Sequence, residues 1–408
     1  MANFGPPQSP PSTPPHISTL VILAGLAALT MNIFLPSLPA MAVYFETDYG
    51  VMQLSVALFL AINACFQLII GPLSDHFGRR PVILGGIIVF LIATLGTLIA
   101  PTIELFLIAR MLQATMVVGL VLSRAIVRDI FPQDQAASMI GYVTMGMAVV
   151  PMIGPALGGF LQETFGWKAN FWLLFLFGCL ILYLCYRDLG ETAKGKGRGF
   201  RAQIQEYPAL VRSQRFWGYC LSSAFASGAF FSYLGGAPYV GSEVFRLDPT
   251  VLGLAFGTPA AGYFLGNWAS GRFSSQVGIN RMISIGCLIT VIGLTISLGF
   301  FAIGLQTAVV FYGFTAFVGL GNGMVIPNAT AGMLSVRPQL AGSASGLGGA
   351  IMIGGGAALS ALAGVVLQPG LGAWPLMWLM LASAVLGLIA ILFTIRREQI
   401  IDTQTPKP

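Results

Sequence analysis

Twelve apolar runs, most of them close to twenty residues long and separated by short polar loops, dominate this 408-residue chain. They fall at about residues 18–40, 51–71, 81–100, 102–124, 136–161, 169–187, 216–240, 250–271, 282–303, 307–328, 341–367 and 374–395. A helix rises ~1.5 Å per residue and the hydrocarbon core of a bilayer is ~30 Å thick, so runs of this length are what spanning helices require. Lipid offers no hydrogen bonds to backbone groups, so each run has to be helical. With 56% hydrophobic and only 8% charged residues, the chain also lacks the charge that a water-soluble surface carries. The sequence therefore predicts an all-α membrane protein of twelve transmembrane helices.

Basic residues set the expected orientation. With both termini cytoplasmic, the inside loops and tail hold 17 Lys and Arg, whereas only Lys168 and Arg246 fall outside. This asymmetry obeys the positive-inside rule. The formal charge of +6 does not point to nucleic acid, because the basic residues sit in loops between apolar runs.

Residues 1–17 hold six prolines and no Lys or Arg, which reads as a disordered cytoplasmic tail and not as a secretory signal. Residues 188–215 are rich in Gly, Lys and Arg and read as a linker. The expected organisation is an N-terminal six-helix bundle over 18–187, the linker, a C-terminal bundle over 216–395 and a tail over 396–408. A faint repeat relates the halves: Gly71, Ser74 and Gly78 recur two hundred residues on as Gly271, Ser274 and Gly278, with Ser275 in place of Asp75. Pseudo-symmetric halves around a central path are a common plan for secondary transporters.

Enzyme chemistry finds no foothold. The two histidines, His16 and His76, form no metal or acid-base cluster, and the five cysteines all lie in apolar runs without metal-like spacing. No metal and no cofactor is expected. A receptor or sensor is the reading from another class, and it would need a soluble signalling domain that loops of under thirty residues do not supply.

Between the second and third runs lies Gly71-Pro-Leu-Ser-Asp75-His-Phe-Gly78-Arg79-Arg80. Gly71 and Gly78 suit a tight turn between antiparallel helices. Asp75, Arg79 and Arg80 place an acid and two bases at the membrane surface, able to pair with each other or with neighbouring helices. This stretch resembles the loop signature of the major facilitator superfamily, whose fold is two six-helix bundles that alternate access to a central cavity. The resemblance implies that Asp75, Arg79, Arg80 and Asp129 stabilise the outward-open state through inner-face pairs.

Arg110 is the only Lys or Arg well inside an apolar run. A cation at that depth costs several kcal/mol unless it faces a wet cavity or finds partners. Either a cavity-facing role in binding or coupling, or a pairing with carbonyls of adjacent helices, accounts for it. Arg110-Met-Leu-Gln113 also resembles the family's fourth-helix motif, with Ala114 where glycine is usual.

In the fifth run, Pro151-Met-Ile-Gly154-Pro155-Ala-Leu-Gly158-Gly159 sets glycines four apart on one face. Ordinary close packing of helices explains such spacing. The whole stretch resembles the fifth-helix signature of drug:proton antiporters, which implies export. Thr30-Met-Asn32-Ile-Phe-Leu-Pro36-Ser-Leu-Pro39, Asn63, Gln67 and Ser123-Arg124-Ala-Ile-Val-Arg128-Asp129 resemble the Bcr/CflA branch, which includes bicyclomycin and chloramphenicol resistance proteins.

One departure matters. Asn32 stands where that branch usually has an aspartate, and an amide cannot carry a proton near neutral pH. All fourteen acids lie in loops or near run ends. Glu104, Asp75 or Asp129 could carry the proton instead, coupling could run through substrate charge and the membrane potential, or the chain could be a uniporter.

Taken together, the residues and the resemblance predict a multi-pass carrier of the bacterial inner membrane. It would export small hydrophobic or amphipathic compounds by proton antiport, as a monomer in the lipid bilayer. Metabolite exchange or uptake is the alternative within transport. Asn32, Asn63, Gln67, Arg110, Tyr142 and Tyr233 are the expected cavity residues.

Overall fold

The structure, a computed structural model, describes residues 15–130, 150, 153–193, 207–337 and 340–404. Among these, helices run α1 (Ile17–Asn32), α2 (Leu38–Tyr44), α3 (Tyr49–Phe77), α4 (Arg79–Ile99), α5 (Ile103–Gln113), α6 (Val117–Ile130), α7 (153–165) and α8 (Lys168–Asp188). A short α9 (207–211) leads to α10 (Gln214–Tyr239), α11 (Pro249–Ala255), α12 (Gly257–Val277), α13 (Ile279–Ala302), α14 (Ala308–Val336), α15 (Ala341–Val366) and α16 (Trp374–Gln404).

Nine spans among the described residues are long and apolar enough to cross a membrane. Adding α7, α10 and α11–α12 is consistent with the twelve passes expected. Among the described residues three passes are broken. Pro36 and Pro39 accompany the step from α1 to α2, a 3₁₀ turn at Ala114–Met116 separates α5 from α6, and Phe256 separates α11 from α12.

Several helices outrun their apolar segments, and they do so at one end. α3, α6, α12, α14 and α16 continue about six to nine residues beyond the runs, all at the end that carries Gly78. Hydropathy marks the depth of the bilayer and not the length of a helix, so polar overhangs escape it. Gly71 consequently lies inside α3, with nothing among the described residues where a Cβ would project. The turn expected over 71–80 is made by Gly78 alone, at φ +95°.

The two-hundred-residue repeat is structural. Gly78 (φ 95°, ψ 154°) and Gly278 (φ 89°, ψ 149°) end α3 and α12 in the same way. At the opposite end Glu46 (φ 49°) and Arg246 (φ 52°), also two hundred residues apart, share a left-handed backbone. Asp48 and Asp248 then precede the first turns of α3 and α11.

Packing follows these halves. α4 packs on α5 and α8, and α1 on α6 and α8, while α14 packs on α12 and α13, and α10 on α15 and α16. Apolar surface gives no net drive in lipid, so close approach at small residues has to supply the contact. Gly262 and Gly266 of α12 lie against the backbone of α14, and Gly319 and Gly323 of α14 lie against that of α12. The main union between the halves is α3 on α15.

Candidate functional site

Arg110, the eighth residue of α5, is 1% exposed, and its guanidinium is held in place by neutral groups. Its Nη2 donates to the Thr30 carbonyl at 2.9 Å and its Nη1 to Gln113 Oε1 at 2.7 Å. Phe34 and Phe59 lie 4.2 and 4.1 Å from it, ring centroid to guanidinium carbon. Thr30 is in the last turn of α1, where the next turn of helix does not follow and carbonyls are left without an N–H. A cation there also meets the negative end of the helix dipole. Cation–π attraction is strongest in such a desolvated place. Gln113 Nε2 passes the network on to Thr94 Oγ1 at 2.8 Å, so α1, α3, α4 and α5 meet at one node. Of the two placements open to Arg110, the structure shows the pairing with a neighbouring carbonyl. Among the described residues the side chain is closed off from solvent in this conformation.

The other expected cavity residues are spread out. Asn32 is 3% exposed and donates to the Ala28 carbonyl at 2.8 Å. Half-buried Asn63 and Gln67 bond to each other at 3.1 Å on α3, with Gln67 Oε1 beside Gly349 of α15. Tyr233 is fully buried among Phe230, Phe256, Phe311 and Tyr312, with its hydroxyl 3.5 Å from the Ala255 carbonyl. Tyr142 and Pro151 lie outside the described residues.

At the Gly78 end the loop charges pair. Arg79 Nη1 meets Asp75 at 2.6 Å and Arg79 Nε meets Asp129 at 3.1 Å. Arg80 donates to the Tyr186 carbonyl at 2.9 Å and lies over the Tyr186 ring. Sequence reasoning missed Glu191, which takes part in the same cluster. Its carboxylate accepts from the backbone N–H of Arg79 at 2.9 Å and of Arg80 at 3.3 Å, capping α4 where free N–H groups and the helix dipole favour an anion. Asp188 caps α1 in a similar way, accepting from the His16 backbone N–H at 2.9 Å and from Thr19 Oγ1 at 2.6 Å. Residues 188–193 thus dock on the first bundle. In the second half Glu398 plays a comparable part, accepting from Arg215 at 2.6 Å, Tyr219 at 3.0 Å and Asn280 at 2.5 Å. An acid just after an apolar run was the signal available for both.

At the Tyr49 end the halves are fastened together. The glycine face of α7 divides its contacts. Gly154 faces Leu29 and Asn32, Gly158 lies on the Ile33 backbone, and Gly159 lies on the Pro249 backbone of the other half. Gly253 of α11 lies in turn on the Pro155 backbone. The Thr250 N–H donates to Glu163 at 3.3 Å and Tyr49 to the Gly235 carbonyl at 2.7 Å. Outside this seal a cleft of about 500 Å³ is lined by Glu46, Asp48, Tyr49, Tyr239 and Glu243 among others.

Comparison with known proteins places this architecture. The chain is 30% identical to the uncharacterized MFS-type transporter YdgK of Bacillus subtilis, over 93% of this chain and 95% of that protein. It is 27% identical to the bicyclomycin resistance protein homolog of Haemophilus influenzae, over 94% and 96%. With a chloramphenicol resistance protein of Pseudomonas aeruginosa it shares 32%, over 89% and 87%. Among solved structures, an inward-facing, occupied bacterial homolog of the human lysosomal transporter Spinster aligns with a TM-score of 0.73 at 16% identity, over 96% and 98%. The peptide transporter POT in complex with sulfate gives 0.76 at 13%, over 93% and 94%, a likeness of fold alone. Residues 20–361 match the Major Facilitator Superfamily, and this multi-pass transporter, not an enzyme, belongs to that family.

Proposed function

We propose that this carrier exports small hydrophobic or amphipathic compounds from a bacterial cell by alternating access, in antiport with protons. The observation that carries the reading is the fifth-helix face. Gly158 locks α7 to its own bundle while Gly159 lies against the other, so one helix is both anchored and part of a seal that can part. Relatives matched over nearly their whole length support it, since they are named for resistance to bicyclomycin, chloramphenicol and multiple drugs.

In this reading both termini are cytoplasmic, the Gly78 end is inner and the Tyr49 end is outer, so the structure has its outer gate closed. The bundles over 18–187 and 216–395 rock about the α3–α15 contact, with the linker over 188–215 between them. The protein works as a monomer in the inner membrane. Asn32, Asn63 and Gln67 line the path when it opens. With no carboxylate deep inside the spans, the coupling proton is carried by Asp75 or Asp129 of the inner cluster or by Glu104.

Purified protein in liposomes tests this directly. Accumulation of a neutral amphipathic drug that rises with an imposed pH gradient is the expected result. Equal movement with and without the gradient would leave a uniporter.

A further inference from the structure

Gln53 of α3 is wholly buried where the two halves meet at the Tyr49 end. Its Nε2 donates across the interface to the Ser360 carbonyl at 2.5 Å and to Ser360 Oγ at 2.7 Å. Two glycines of the opposite half make room for it. A Cβ at Gly235 of α10 would stand 2.5 Å from Nε2, and one at Gly364 of α15 would stand 2.7 Å from Oε1. That Oε1 is buried without a hydrogen-bond partner among the described residues. One turn away Tyr49 donates to the Gly235 carbonyl, and Gly50 approaches the Gly364 carbonyl.

We propose that Gln53 is the latch of the outer gate, a positioning residue whose carboxamide, seated in the slot between Gly235 and Gly364, holds the outer ends of the two bundles together. The slot is cut to the side chain, since any residue larger than glycine at either position would displace it. The unpaired Oε1 gives the latch its second property. A buried acceptor left without a donor is costly, and opening the gate to water relieves it. The closed state is therefore held by the Nε2 bonds but kept shallow, as a gate that opens in every cycle requires. The slot accounts for a glutamine, and not an aliphatic residue, near the outer end of this apolar run. An aliphatic side chain would fill the slot without either holding or releasing it.

This inference rests on the transport reading for its purpose and not for its test. In a variant whose five cysteines are replaced, Val43→Cys and Val309→Cys carry spin labels on the outer ends of the two halves, both at exposed positions. Pulsed electron resonance then reads the outer separation in liposomes at pH 5 and pH 9. The native protein at both values is the control for titration of the neighbouring Glu46, Asp48, Tyr49, Tyr239 and Glu243.

In Gln53→Glu the protonated carboxyl can still donate to the Ser360 carbonyl, whereas the ionised form sets oxygen against oxygen in a dry slot. The expected result is a native-like short distance at pH 5 and, at pH 9, a long-distance population raised on the order of tenfold over native. Gly364→Ala should raise it at both pH values. Native distances for Gln53→Glu at pH 9 and for Gly364→Ala would overturn the latch. A native protein that moves no drug would sink the export reading and leave these distances standing.

Discussion

The carboxylate of Glu191 occupies the space that a side chain at position 78 would need, so Gly78 serves both as the end of α3 and as the seat of the α4 cap. Gly278 has the same backbone angles with nothing among the described residues near its missing Cβ. The two glycines therefore separate strain from crowding.

Gly278→Ala should cost backbone strain alone, about 1–3 kcal/mol for a conformation almost confined to glycine. Gly78→Ala should cost that and also the cap, worth about a further 1 kcal/mol. Thermal loss of monodisperse protein in detergent, compared for the two variants, is the measurement. Equal shifts would remove Glu191 from the account.

How far the sequence reaches is clear from such residues. Apolar runs and loop charges locate the spans and the Asp75–Arg79–Asp129 cluster, because bilayer thickness and charge burial act on composition alone. Glu191 and Glu398 read as linker and tail, since polar helix ends and caps carry no hydropathy signal. Of the partners of Arg110, Gln113 lies in the same motif and is legible, whereas the Thr30 carbonyl, Phe34 and Phe59 carry no distinctive sequence mark. Gln53 is one polar residue in the run from Val51 to Ile70, and the glycines that admit it lie about 180 and 310 residues away.

The ion pair of Arg79 with Asp129 joins α4 to α6, two helices of one bundle, and stands intact while the Tyr49 end is closed. Pairs within a single rigid half do not by themselves distinguish the two ends of the cycle. Asp129→Asn should accordingly lower stability by up to about 1 kcal/mol, as expected for a partly exposed pair. It should leave the outer separation read by spin labels unchanged. A shift of that separation would restore the gating role implied by the family resemblance.

Arg110 supports the bundle as well as any chemistry it performs. Arg110→Ala should cost about 3 kcal/mol or more, through a cavity between Phe34 and Phe59 and through Gln113 and the Thr30 carbonyl left unpaired. Arg110→Lys keeps the charge but loses the flat stack between the rings. It should recover part of the stability and little of the transport. Thermal melts and liposome transport, measured on both variants, check this. An Arg110→Ala protein of native stability that exports normally would remove the node from both roles.

Gly158 and Gly159 are adjacent on α7 but touch different halves, the first the Ile33 backbone and the second the Pro249 backbone. A valine at either position has to push backbone aside, and overpacking of this kind costs about 1–3 kcal/mol. At Gly158 the cost falls inside one bundle, so Gly158→Val should melt earlier and reach the membrane in lower amount. At Gly159 the same cost is avoided by parting the halves. Gly159→Val should therefore keep native stability and yield while it shifts the labels at positions 43 and 309 towards long separations and stops transport. The contrast is the test, because a general intolerance of bulk on α7 would lower the stability of both variants equally and leave the outer separation where it is.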